Sequence, residues 1–469
     1  MSIRCIAFTL IFSTSTFIAA QTPSLTTPDV AITDFVAPVS GKPFPAPLAS
    51  RVADISAAGI GAHINLLASP ALEGRGLGTR GLEAATEYAA ATLRLAGIPP
   101  YGAIDSYYQA VPLRQITGTR GQVEIERRDH DEIATRTFAS GVDCLFSAQP
   151  AQTLKAPVVF AGFGIRELQL GRDDYAGLDV RGRIVLIVAG VPGGAAWHTP
   201  ELLARYAASG TRERYAVKLE TARALGAAAV FAVEDEGFAT GLAENVADEE
   251  RAFRSYDRDP HEPPMLVRVS RSVAYAIAGE DVFAQPVSNS THTPQSVATA
   301  TIRISGEEHL IVSRNVLGIL LGSDPKLRDE AVIIGAHIDH LGMADGVIHP
   351  GADDNASGVA ALLEIAKTFA ASPEKPKRTL IFAFWTGEEE GHLGSAFNVN
   401  HPRWPLAHIH AYLNLDMIGH PWLTSEIRKL VDDNHLPDAA TYLASITAES
   451  FVEPGVPRGF PALERAVRD

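Results

Sequence analysis

Two cysteines in 469 residues are too few for a disulfide framework. Cys5 falls in an apolar N-terminal run, which leaves Cys144 in GVDCLFSAQP, and a lone thiol there reads as a buried, inert side chain rather than a nucleophile. Basic residues are also scarce: 40 Lys and Arg against 55 Asp and Glu give a net charge of −15. Such a chain lacks the cationic face that a phosphate backbone requires, so nucleic acid is excluded as the main partner. Beyond the N-terminus no apolar run approaches the length of roughly 18 residues needed to span a bilayer. The G-x-S-x-G turn of a serine hydrolase is missing, and Ser357 in NASG reads as a turn or cap residue. What the chain has is apolar bulk: 46% hydrophobic and 20% charged residues allow a large core and exclude global disorder.

The first twenty residues have the layout of an export signal. MSIR carries one positive charge, CIAFTLIFSTSTFI is an apolar stretch of h-region length, and Ile18-Ala19-Ala20 offers a small residue before Gln21. An uncleaved anchor is the alternative, but the run is short and rich in Ser and Thr. The expectation is an exported chain, periplasmic or extracellular, with no stable membrane insertion after cleavage.

Residues 21–50, rich in Pro, Thr and Ala, read as an N-terminal arm. Over 51–150 the first clear element is LEAATEYAAATLRLAGI (82–98), an amphipathic helix closed by Gly and a Pro pair. The G-x-G-x-x-G at 76–81 just before it has no strand in front, so it is set aside as a dinucleotide loop. Residues 151–290 alternate β-rich runs, PVVFAGFGI, GRIVLIVAG and AAAVFAVED, with the helical ERYAVKLETARALG, which predicts a smaller α/β domain. Residues 301–469 form a third region: HLIVSRNVLGILLG, AVIIGAH, a helix over 356–371, TLIFAFW and AYLNLDM. Continuous apolar strands separated by a helix predict a mostly parallel sheet flanked by helices, an α/β fold.

In open α/β sheets the site lies beyond the carboxyl ends of the strands. AVIIGA exits into His337 and Asp339, and a loop before the helix supplies Asp353 and Asp354. TLIFAFWTG leads to Glu388, Glu389 and Glu390, and AYLNL leads to Asp416. Each of these is ordinary alone: a strand-end His, an Asp pair before a helix, a solvated acidic run, a turn Asp. At successive exits of one sheet they make a carboxylate-rich cluster with an imidazole, which suits Zn²⁺. Two metals would need a shared carboxylate and could clamp an attacking hydroxide and a substrate carbonyl. Asp339, two residues past His337, could fix the imidazole tautomer, and one Glu could act as general base. Ligand types alone do not separate zinc from cobalt or manganese.

The motifs GAHIDHLG, HPGADDNASGVAALLEIA, TLIFAFWTGEEEGHLGSAF and AYLNLDMIGH resemble the zinc-dependent exopeptidases of peptidase family 28, the bacterial aminopeptidase group. LLASPALEGRGLGTRGLEAATEYAAATLRLAGI and SYYQAVPL resemble the N-terminal segment of that family. Residues 151–290, including DDYAGLDVRGRIVLI, resemble the protease-associated domain that many members insert. The resemblance implies that His337 and Asp416 bind one zinc, that Asp354 bridges two ions, and that Glu389 binds the other. It makes Glu388 the general base acting with a metal-bound hydroxide, Asp339 the His-orienting carboxylate, and Asp354-Asn355 a cis peptide. The implied substrates are peptides with a free N-terminus, and the implied cofactor is two Zn²⁺ per chain.

One element of that pattern has no counterpart. The family's second histidine ligand belongs to a downstream motif, and after Asp416 the only histidines are His420 and His435. The reading is therefore a C-terminally incomplete peptidase domain with a weakened second metal site. A non-catalytic binding protein on this scaffold and a glutaminyl cyclase-like enzyme stay open as alternatives.

Overall fold

A computed structural model of the chain describes residues 55–419, apart from 130–131, 209–210, 235–250, 258–263, 280–297 and 345, together with 9–11, 32–34 and 455–457. The export signal, the N-terminal arm, His420 and His435 thus lie outside the described residues, save for short stretches of the first two. The described residues divide into two compact units, one within Met1–Pro112 and Ile311–Asp469, the other within Leu113–Leu310. The second is wider than the 151–290 expected from sequence. The strands Tyr108–Asp129 and Ala298–Leu320 each run on as a single element through a unit boundary. No helix among the described residues is long and apolar enough to cross a membrane.

In the first unit, helices α1 (Ala57–Leu67) and α2 (Arg80–Leu95) precede a sheet. The sheet contains the end of β1 (Ala298–Leu320), then β2 (Ala331–His337), β3 (Thr379–Trp385) and β4 (Ile409–Asn414). Helix α3 (Gly358–Ala371) follows β2, and α4 (Leu393–Asn400) follows β3. Helix α2 starts where Thr79 Oγ1 accepts the Leu82 amide at 3.3 Å, and it buries Leu82, Ala85, Ala89 and Leu93 along one face. Gly81, the last glycine of the G-x-G-x-x-G set aside above, has a packing role: a Cβ there would collide with the Leu72 carbonyl.

The order is β4-β2-β3-β1, with β2 parallel to β3 and β4, and β1 antiparallel to β3. Every residue of β3 is buried, as a central strand covered on both faces requires. The register sets His337 opposite Trp385 and Gly335 opposite Asn414. All three parallel strands therefore end at one edge, and their exit loops meet there.

The second unit holds its own sheet, in which Gln152–Phe160, Ile184–Val188, Ala229–Val233 and Met265–Val269 run parallel and Cys144–Phe146 closes one side antiparallel. Separate apolar cores form on its two faces, one around Phe231 and Val267, the other around Val185 and Tyr215. Cys144 is buried and its thiol is pushed up by burial, as an inert side chain should be. At the strand ends Arg268 makes a bidentate pair with Glu234, at 2.9 and 2.8 Å, and Tyr215 donates to the same carboxylate at 2.8 Å. Lys218, three residues after Tyr215, is fully buried, donating to the Gly190 carbonyl at 2.6 Å.

Burial lowers Lys218 from 10.5 to about 7. Below that value both the folded and unfolded chains carry the proton, and the fold bears the cost of a buried charge. Between about 7 and 10.5 the unfolded chain binds more protons, so stability rises with pH. Lys218→Met is expected to flatten that rise, read as Tm against pH; a slope equal to that of the unsubstituted chain would show that Lys218 does not cause it.

Candidate metal centre

Each donor reaches the site from its own strand exit. His337 is the last residue of β2 and only 2% exposed. Its Nε2 lies 3.0 Å from Asp354 Oδ1, 3.4 Å from Asp416 Oδ1 and 3.9 Å from Glu388 Oε2. Asp354 sits in the irregular turn Ala352–Ser357 ahead of α3, and the Asp354–Asn355 peptide is cis. Asn355 Nδ2 donates to the Leu415 carbonyl at 2.9 Å, and Ser357 Oγ accepts the Ile418 amide at 3.0 Å. Those bonds tie the turn to the exit of β4, which is why Asp354 and Asp416 arrive together.

The loop after β3 is held from below by Asn315 in β1, which is fully buried. Its Nδ2 donates to Gln109 Oε1 and to the Gly394 carbonyl, at 2.9 and 2.8 Å, and its Oδ1 accepts the Thr386 amide at 3.1 Å. Glu388 and Glu389 follow in that loop. His392 beside Glu388, at 3.1 Å, holds its carboxyl below the usual range.

Asp339 departs from the contact expected of it. His337 Nδ1 is 3.1 Å from the Asp339 main-chain carbonyl and 3.8 Å from its carboxylate. The carboxylate turns instead to accept the amides of Glu388 and Glu389, at 3.2 and 3.4 Å. Asp339 thus fixes the imidazole through its backbone and the glutamate loop through its side chain. Complete burial pushes its carboxyl up to about 6, against the opposing pull of His337.

Sequence reasoning missed His340. Its Nδ1 lies 2.6 Å from Glu389 Oε1 and 4.0 Å from Asp354 Oδ1. Two donor groups result, each with its atoms within 4.8 Å of one another: His337, Asp354 and Asp416, and His340, Asp354 and Glu389. Asp354 belongs to both, and Glu390 belongs to neither. One imidazole nitrogen with two carboxylates in each group is a donor set that fits a divalent cation such as zinc. The signal for His340 is present in the sequence as H-x-x-H in HIDHLG.

Residues 315–453 match the model of peptidase family M28. Over that span the chain is similar to the peptidases of that family. That span encloses all five donor residues together with Asp339 and Glu388. Over 108 residues the chain is 36% identical to leupeptin-inactivating enzyme 1 of Streptomyces exfoliatus, covering 23% of each chain. It is 37% identical over 114 residues to a probable leucine aminopeptidase 2 of Arthroderma benhamiae, covering 24% of this chain and 21% of that one. The match therefore spans less than a quarter of the length of these relatives. Among solved structures, an aminopeptidase from Aneurinibacillus sp. strain AM-1 matches at 19% identity and TM-score 0.37, covering 74% of this chain and 66% of that one. A zinc aminopeptidase from Bacillus subtilis matches at 20% identity and TM-score 0.36, covering 78% and 70%.

A second missed residue, Arg75, underpins the donor loops. It is 1% exposed, and its guanidinium donates to the carbonyls of Ile338 at 3.0 Å, Pro350 at 2.9 Å and Gly351 at 2.9 Å, and also to Leu67. Glu73, Gly74 and Arg75 take φ of 50, 68 and 53°, an unfavourable left-handed run that swings the side chain inward. A Cβ on Gly74 would strike the carbonyls of Gly342 and His349. Burial lowers Arg75 to about 10, and Asp339, Asp354 and Glu389 pull it back up, so it stays charged at neutral pH.

Removing a buried charge with these partners costs about 3–5 kcal/mol. Arg75→Met is expected to lose stability on that scale in denaturant melts and to weaken divalent-cation binding. Arg75→Lys, which keeps the charge without the planar fork, should lose less. Equal stability of Arg75→Met and the unsubstituted chain would contradict this role.

Proposed function

We propose that this chain is a metallopeptidase that removes residues from the free N-terminus of peptides. The observation that carries the reading is the pair of donor groups sharing Asp354, with Glu388 at their mouth. His337, Asp354 and Asp416 would hold one divalent cation, with Asp354 and Glu389 held toward a second. Such cations supply Lewis-acid polarisation of a carbonyl and make bound water acidic near neutral pH.

The remaining work falls to the protein. Glu388 stands off both groups, half-buried and with its carboxyl held low, so it is poised to take a proton from the attacking water and deliver it to the departing amine. Asp339 and Asn315 hold the loop that carries it, which keeps the base in register with His337. Export, with the protease-associated character of the second unit, extends the proposal on the strength of the sequence motifs described above.

Glu388→Gln is expected to lower kcat by about 10²–10⁴-fold while metal content by elemental analysis stays unchanged. A panel of free, N-acetylated and N-terminal glutaminyl peptides reads the substrate class. Cleavage of the free peptides alone supports the proposal. Equal cleavage of acetylated ones, or cyclisation of the glutaminyl one without cleavage of the others, would overturn it.

A further inference from the structure

We propose that His392 is a positioning residue for Glu388, holding one carboxylate oxygen so that the other faces the donor cluster. This deepens the metallopeptidase reading and rests on it.

The two oxygens of Glu388 are turned to different partners. Oε1 lies 3.1 Å from His392 Nδ1, and Oε2 lies 3.9 Å from His337 Nε2. The Glu388 side chain is 27% exposed and that of His392 70%, so the imidazole meets the carboxylate from its solvent side. A glutamate left to itself samples several staggered rotamers. A partner on Oε1 selects the ones that leave Oε2 toward the cluster, where a base must stand to take a proton from attacking water.

The backbone is folded to bring this imidazole back to Glu388. The Glu388 carbonyl accepts the amides of Gly391 and His392, at 2.8 and 2.9 Å, and the Gly387 carbonyl accepts the Leu393 amide at 2.8 Å. His392 closes that turn at φ 61°, in the left-handed region where a Cβ is unfavourable and glycine is at ease. It also immediately precedes α4, a position whose side chain ordinarily caps helix amides, and the His392 side chain caps none of them. Glycine would meet both backbone needs at less cost. The contact that gives a histidine its use here is the one with the proposed base.

The test is steady-state kinetics of the full chain on a peptide with a free N-terminus, together with melting curves and metal per chain by elemental analysis. His392→Gly should melt at or above the temperature of the unsubstituted chain and hold as much metal. Its KM should stay unchanged while kcat falls about 10- to 100-fold. His392→Asn, whose amide nitrogen stands as many bonds from the backbone as Nδ1, should recover part of that rate. In a Glu388→Gln background the glycine substitution should cost nothing further, because its effect passes through the carboxylate. An unchanged kcat, a rise in KM alone, or a lowered melting temperature in His392→Gly would overturn the assignment and leave the peptidase reading standing. So would an asparagine variant no faster than the glycine one, or an equal loss of rate in the Glu388→Gln background. An unsubstituted chain that cleaves no peptide would sink both.

Discussion

Asp339, Asp354, Glu388, Glu389 and Asp416 crowd together at the ends of three strands, and a fold that gathers five carboxylates must supply positive charge to hold them. At an effective dielectric of 20, two like charges 4 Å apart repel by about 4 kcal/mol. Arg75 meets part of that demand from beneath, where its fork grips the backbone of the same loops that carry the carboxylates. The His337 imidazole meets another part: burial works against its charged form, yet Asp354 and Asp416 raise it to about 11. Protons and divalent cations therefore compete for the same nitrogen, which couples metal affinity to pH.

Positioning follows from backbone connections more than from the donor side chains themselves. The parallel register of β2, β3 and β4 brings their exits to one edge. Asn315 then anchors the glutamate loop, Asn355 and Ser357 stitch the Asp354 turn to the end of β4, and Asp339 bridges β2 to Glu388 and Glu389. None of these residues needs to touch a substrate. Their effect is to leave each donor few conformations, so that a bound ion or substrate meets a site already arranged.

The second unit repeats the α/β theme with different chemistry. There Glu234 and Arg268 form a buried polar group with Tyr215, in which Arg268 satisfies both carboxylate oxygens. Lys218 rests on a carbonyl and loses its proton easily.

Read alone, the chain identified its strands closely, since AVIIGAH and TLIFAFW are continuous apolar runs and the structure places β2 and β3 on the same residues. It also singled out His337, Asp339, Asp354, Glu388, Glu389 and Asp416, because chemistry at strand exits is a local pattern that survives without coordinates. What needed the tertiary structure was every relation between distant segments. His340 gains meaning only beside Glu389, Arg75 only beneath loops some 260 to 280 residues away, and Asp339 only where its carboxylate turns from the imidazole to the glutamate amides. The unit boundary at 113 and 310 was hidden for a related reason: a long strand keeps one pattern while its partners change. Periodicity and residue type report what a segment can do by itself, and pairing across the chain decides which of those possibilities are used.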